Sequence, residues 1–105
     1  MTSNKEYQKR LHELIPGGAH TYSRGDDQYP ENAPAILERG KGAYVWDAQG
    51  NKLLDYGMGL RSITMGYDQD EISEAGIAEI KKGLNLTRAS LTELKAAELM
   101  ISLFP

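Results

Sequence analysis

The run from Leu94 to Phe104 sets the tightest limit on what this chain can fold into, because eight of its eleven residues are apolar. Leu94, Ala96, Ala97, Leu99, Met100, Ile101, Leu103 and Phe104 spread over more than one face of a helix, which therefore needs cover on several sides. The rest of the 105 residues offers only a small β-rich region and two polar helices. A two- or three-stranded sheet is marginal alone, and a large exposed apolar patch normally marks an interface. A chain of this length buries roughly 65% of its extended surface, so even a well-packed version has modest stability. The expectation is a polypeptide that is incomplete or that packs on another chain.

Charge and composition narrow the partners. Twelve basic and fifteen acidic residues are mixed along the sequence, for a net charge of −3. No basic stripe points to nucleic acid, and no lysine-rich amphipathic face points to a membrane. There is no cysteine, hence no disulfide framework and no thiolate metal site. Met1 to Glu6 leads straight into a polar helix without an apolar leader. The expected setting is the cytoplasm.

Along the chain, Ser3 or Asn4 can cap a first helix that runs to about Leu14 and is stopped by Pro16 and Gly17-Gly18. Residues 16–34 carry almost no aliphatic side chains and no periodicity, and loops beyond about 12–15 residues are usually functional or disordered. Ala35 to Arg39 can add a short strand. Ala43–Asp47 and Lys52–Tyr56 then read as a β-hairpin, with Asp47 bonding back into the turn and Gly50 supplying a positive φ. Alternation puts Tyr44 and Trp46 on one face and Ala43 and Val45 on the other. Gly57 to Gly66 is a second loop. Asp68 with Glu71 suggests a helix start, and Ile72, Gly76, Ile77 and Ile80 form its apolar stripe up to Lys82-Gly83. Ser90 with Glu93 starts the last helix. The fold class is α+β: a helix, a long loop, a small antiparallel sheet and two C-terminal helices.

Several blocks of this sequence agree in order and spacing with one known family. Pro16-Gly17-Gly18, Glu38-Arg39-Gly40-Lys41-Gly42-Ala43-Tyr44, Asp47-x-x-Gly50-Asn51, Asp55-Tyr56, Gly66-Tyr67, Gly83 and Thr92-Glu93-Leu94 resemble the N-terminal segment of class III aminotransferases. The branch is the one that includes glutamate-1-semialdehyde aminomutases, and the likeness extends from about Leu14 to Phe104. It implies the N-terminal part of a fold-type I, pyridoxal-phosphate-dependent transferase. Residues 1–105 would form the small domain and the lead into the large one. It also implies a homodimer and a small amino or carbonyl substrate.

Arg24 is the first candidate for function, since no helix or strand explains it and a guanidinium offers a bidentate fork to a carboxylate or phosphate. A solvated arginine, or one paired with Asp26 or Asp27, is the structural alternative. Aligning on Pro16-Gly17-Gly18, the resemblance brings Thr21 and Arg24 to the serine and arginine places that meet substrate in the aminomutases. In Gly57-Met58-Gly59-Leu60-Arg61-Ser62, glycines allow close backbone approach and Arg61 adds an anion partner. The alternative is a glycine-rich connector with one surface arginine. The aminomutase branch has a pocket tryptophan where this chain has Leu60, and a small residue where it has Arg61. That departure favours a different, anionic amino-group acceptor.

Thr87-Arg88-Ala89-Ser90 reads first as a capping linker, Asp68 to Glu71 as a cap rather than a calcium loop, and His12 as a surface residue. His20 lies in the candidate loop but lacks a partner for a metal or nucleophile site. Transamination needs a Schiff-base lysine and an acid on the pyridine nitrogen, which the family keeps downstream; Lys41, Lys52, Lys81 and Lys82 do not match that motif. The expectation is a segment that supplies pocket wall and dimer contacts to a pyridoxal-phosphate aminotransferase and does not hold the cofactor stably by itself. An intramolecular aminomutase and a stand-alone binding or assembly module are the rival readings.

Overall fold

The computed structural model describes residues 1–104, in two compact units that divide after Gln69. The first holds helix α1 (Asn4–Leu14) and strands β1 (Leu37–Lys41), β2 (Tyr44–Asp47) and β3 (Lys52–Leu54). The second holds α2 (Asp70–Ile80) and α3 (Leu91–Leu103). Among the described residues no helix is long and apolar enough to cross a membrane.

Capping chemistry fixes where α1 begins. The Ser3 hydroxyl accepts from the Glu6 amide at 3.2 Å, and the Glu6 carboxylate accepts from the Ser3 amide at 2.7 Å. That reciprocal pair makes Ser3, rather than Asn4, the cap. The helix stops at Pro16, and Gly17 and Gly18 take φ of +75° and +76°.

The sheet is antiparallel in the order β1-β2-β3, so the segment before the hairpin does add a third strand, two residues later than Ala35. The hairpin turn is a carboxylate cage. Asp47 Oδ1 accepts from the Gln49 and Asn51 amides at 3.0 and 2.8 Å, Oδ2 accepts from Asn51 Nδ2 at 2.9 Å, and Gly50 has φ of +85°. These donors, the Asn51 side chain foremost, hold the Asp47 carboxyl below the usual carboxylate range. Alternation is as the residues suggest: Val45 is 6% and Asp47 7% exposed. On the other face Arg39 lies 3.5 Å over the Trp46 ring and Lys52 4.0 Å over Tyr44.

The second unit opens with α2 at Asp70; at the end of the first, Asp68 has φ of +45°, outside the extended geometry of a helix cap. The Asp68 carbonyl accepts from Lys41 Nζ at 2.6 Å instead. Ser90 caps α3 in a box with Glu93, as the spacing indicates. Thr92 Oγ1 donates to Glu79 at 3.0 Å, linking α3 to α2. No residue of α3 is buried: Ile101 is 70% exposed, as is Phe104 just past its end.

Candidate functional site

Two irregular segments of the first unit, residues 16–35 and 57–67, converge on one cavity. The first is not a free loop. It folds as three short 3-10 turns, Pro16–Gly18, Tyr22–Arg24 and Asp26–Gln28. Asp26 Oδ2 accepts from Gln8 Nε2 at 2.5 Å and meets His12 Nε2 at 2.9 Å, both on α1. Those contacts, Gln8 first, keep the Asp26 carboxyl below its ordinary range. Farther on, Asn4 Nδ2 donates to the Ala33 carbonyl at 3.0 Å, and Asn4 Oδ1 accepts from the Ala35 amide at 2.6 Å. Helix α1 thus splints the loop at its middle and its end.

Arg24 lies two residues before the first of those ties. Its Nη1 donates to Thr21 Oγ1 at 3.3 Å, and it pairs with neither Asp26 nor Asp27. Asp26 is committed to α1, which leaves the guanidinium for another anion.

The second segment is strained. Met58, Gly59, Leu60 and Arg61 have successive φ of +49°, +56°, +59° and +75°. Each non-glycine in this left-handed region costs about 1–2 kcal/mol, and such residues cluster where the surroundings over-determine them. The turn closes with the Arg61 amide donating to the Gly57 carbonyl at 3.0 Å and the Ile63 amide to Met58 at 2.9 Å. At its base Asp55 Oδ1 accepts from the Gly57 amide at 2.8 Å, while Oδ2 accepts from the Tyr67 hydroxyl at 2.5 Å. Burial first, then the Asp55 contact, raise the Tyr67 hydroxyl above the ordinary tyrosine range, so it stays a donor at neutral pH.

The cavity has a volume of about 690 Å³, and its lining includes Arg24, Tyr29, Leu53, Leu60 and Tyr67. Of the residues singled out from sequence, Arg24 and Leu60 come together on it. Thr21, bonded to Arg24, lines a smaller cleft beside it. Arg61, one residue beyond Leu60, lines neither. Thr87 to Ser90 belongs to the second unit, where Ser90 serves as the α3 cap. His12 is more than a surface residue: it holds Asp26 and packs under Gly18, where an added Cβ would lie 3.0 Å from its Nε2.

Chemically the cavity offers one cation and apolar and aromatic walls. Of its three carboxylates, Asp26 and Asp55 are spent on internal bonds while Glu31 is not, and no lysine lines it. Sequence reasoning missed Asp26, Asp55 and Tyr67 as site-building residues, because each acts across a segment without periodicity.

No family model matches the chain. It is 34% identical over 104 residues to the glutamate-1-semialdehyde 2,1-aminomutase of Campylobacter hominis, covering 99% of this chain and 23% of that protein. A pyridoxal-phosphate form of the FumI protein of Sphingopyxis sp. MTA144 matches 90% of this chain and 23% of its own length, at 29% identity and a TM-score of 0.81. An omega-transaminase of Sphaerobacter thermophilus matches 96% of this chain and 22% of its own, at 25% identity and a TM-score of 0.81. The chain spans about a quarter of the length of these relatives. Along nearly its whole length, then, the chain is similar in sequence and fold to the N-terminal part of class III pyridoxal-phosphate aminotransferases of the glutamate-1-semialdehyde aminomutase-like branch.

Proposed function

We propose that residues 1–105 are the N-terminal segment of a cytoplasmic, pyridoxal-phosphate-dependent class III aminotransferase, forming its small domain and the lead into its large one. In this reading the segment supplies the substrate-side wall of the pocket and surface for a homodimer. The observation that carries it is Arg24: held on a splinted loop, paired with no carboxylate among the described residues, and sharing one cavity with Leu60 in a chain that is similar to such enzymes along nearly its whole length.

The cofactor, when bound, carries the amino group between donor and acceptor. The residues present do not fit it by themselves. No lysine lines the cavity; Lys41 donates to Asp68, Lys52 lies over Tyr44 and Lys82 pairs with Glu79. We therefore assign the cofactor lysine to residues outside 1–105. What the chain does is bind and orient. Arg24, steadied by Thr21, anchors the substrate's anionic group, and Leu60 gives an apolar wall. Arg61, on the Leu60 turn but outside the cavity lining, offers a second cation to an anion that extends beyond that cavity. The exposed apolar face of α3 is the surface offered to the rest of the enzyme or to a second subunit.

The 34% identity to an aminomutase favours a second reading, an intramolecular aminomutase. Dependence of turnover on a separate amino donor distinguishes the two. The anchor itself is tested in the enzyme that carries this segment. Losing a charge-assisted bond of about 1.5–3 kcal/mol should raise KM for a carboxylate substrate roughly 10- to 100-fold in Arg24→Ala, with partial recovery in Arg24→Lys. An unchanged KM removes Arg24 from the site.

A further inference from the structure

The left-handed turn at residues 58–61 cannot be explained by its own residue types. Met58, Leu60 and Arg61 all carry a Cβ and all stand at positive φ. Something outside the turn must hold it, and the hydrogen bonds identify what does. Asp55 takes the Gly57 amide on one oxygen and the Tyr67 hydroxyl on the other, at 2.8 and 2.5 Å. Tyr67 is in turn fixed to the sheet region, with its amide donating to Gly42 at 2.9 Å and its carbonyl accepting from the Gly42 amide at 2.8 Å. Its ring presses on Gly40 of β1, where an added Cβ would lie 2.5 Å from Cγ. A continuous path therefore runs from β1 through Tyr67 and Asp55 into the strained turn.

We propose that Tyr67 and Asp55 are positioning residues: together they clasp the left-handed turn and so set Leu60 on the cavity wall that it shares with Arg24. An extended or right-handed backbone at residues 58–61 would redirect the side chain at position 60, so the clasp decides the shape of the pocket. The specificity role rests on the reading of this cavity as a substrate pocket; the clasp does not.

The test uses the 105-residue chain, followed by nuclear magnetic resonance. In the wild type, Met58, Leu60 and Arg61 should show the strong intraresidue amide-to-Hα contact of positive φ. In Tyr67→Phe, which keeps the ring and loses the hydroxyl, that signature should vanish and the Arg61 and Ile63 amides should exchange at least about tenfold faster. The Gly42 and Tyr67 amides should stay protected. Persistence of the signature in both Tyr67→Phe and Asp55→Asn overturns the clasp. Should either variant not fold, wild-type exchange decides. The Gly57 amide should be protected as well as the Gly42–Tyr67 bridge, and free exchange at Gly57 overturns it.

3-Phenylpropanoate, an apolar carboxylate, then probes the pocket. Binding that shifts the Arg24 side-chain resonances and weakens at least about fivefold in Tyr67→Phe supports the specificity role, and equal binding overturns it. If the wild type does not bind the probe, the pocket reading fails, and the specificity role with it. The exchange result still judges the clasp.

Discussion

Gly40→Ala offers a sharp check on how the first unit is packed. Its Cβ would sit 2.5 Å from Tyr67 Cγ, 2.8 Å from Cβ and 2.9 Å from Cδ2. Carbon atoms pack at about 3.5–4.0 Å, so the ring must retreat by roughly 1 Å. It has little room to do so. The Tyr67 backbone is bonded twice to Gly42, and its hydroxyl is bonded to Asp55. Overpacking costs about 1–3 kcal/mol and a lost bond to a carboxylate about 1.5–3, offset by about 0.4–1 from the stiffer unfolded chain. The net expectation is a loss of about 3 kcal/mol. Gly40 is not at positive φ, so the cost is steric and should depend on the ring. Urea unfolding followed through Trp46, the only tryptophan, measures it. In a Tyr67→Ala background the same Gly40→Ala change should be neutral or slightly stabilising, which gives a large coupling. A loss under about 0.5 kcal/mol in the wild type, or an equal loss in both backgrounds, would refute the packing argument.

Other outcomes follow from the local chemistry. Ser90→Ala removes the α3 cap and should cost about 1 kcal/mol, read as faster amide exchange in the first turn of α3 with the β-sheet amides unchanged. Asp47 has its carboxyl held low by the turn that it organises. Its contribution is complete above the ordinary carboxylate pKa and is lost as pH falls through the lower folded value, so Asp47→Asn should flatten the acid limb of a stability-against-pH curve. Asp26→Asn keeps the shape of the side chain but weakens its hold on Gln8 and His12. Residues 22–28 should then gain mobility by backbone relaxation while α1 stays helical, and rigid behaviour there would count against the splint.

What was legible in the sequence was chemistry that closes within a few residues. Ser90 with Glu93 and Asp47 with Gly50 announce themselves because donor and acceptor lie three or four positions apart. The third strand and the alternation of Val45 against Tyr44 and Trp46 follow from period two. The apolar excess of Leu94 to Phe104 correctly foretold a helix that the described residues leave exposed. Arg24 stands out in the sequence because nothing regular explains it, and the structure puts it on the cavity wall. The ties that shape its surroundings were not found, because Asp26 reaches back eighteen residues to Gln8, and Tyr67 reaches back twelve to Asp55. Neither span has a periodicity to follow. Least legible was the left-handed turn: side chains such as Met58, Leu60 and Arg61 argue against positive φ, and only the tertiary bonds override them. Asp68 is a further case: it stands at φ of +45°, a conformation that a helix cap does not use, and its carbonyl accepts from Lys41, twenty-seven residues away.

The central claim is that this segment provides binding surface while the lysine that holds the cofactor lies outside it. Incubating the 105-residue chain with pyridoxal phosphate, reducing with borohydride and mapping the modified lysines by mass spectrometry tests that claim most directly. The account predicts sparse labelling spread over the exposed lysines, with none near one per chain. A single lysine labelled stoichiometrically, and protected by a carboxylate that competes at Arg24, would contradict it.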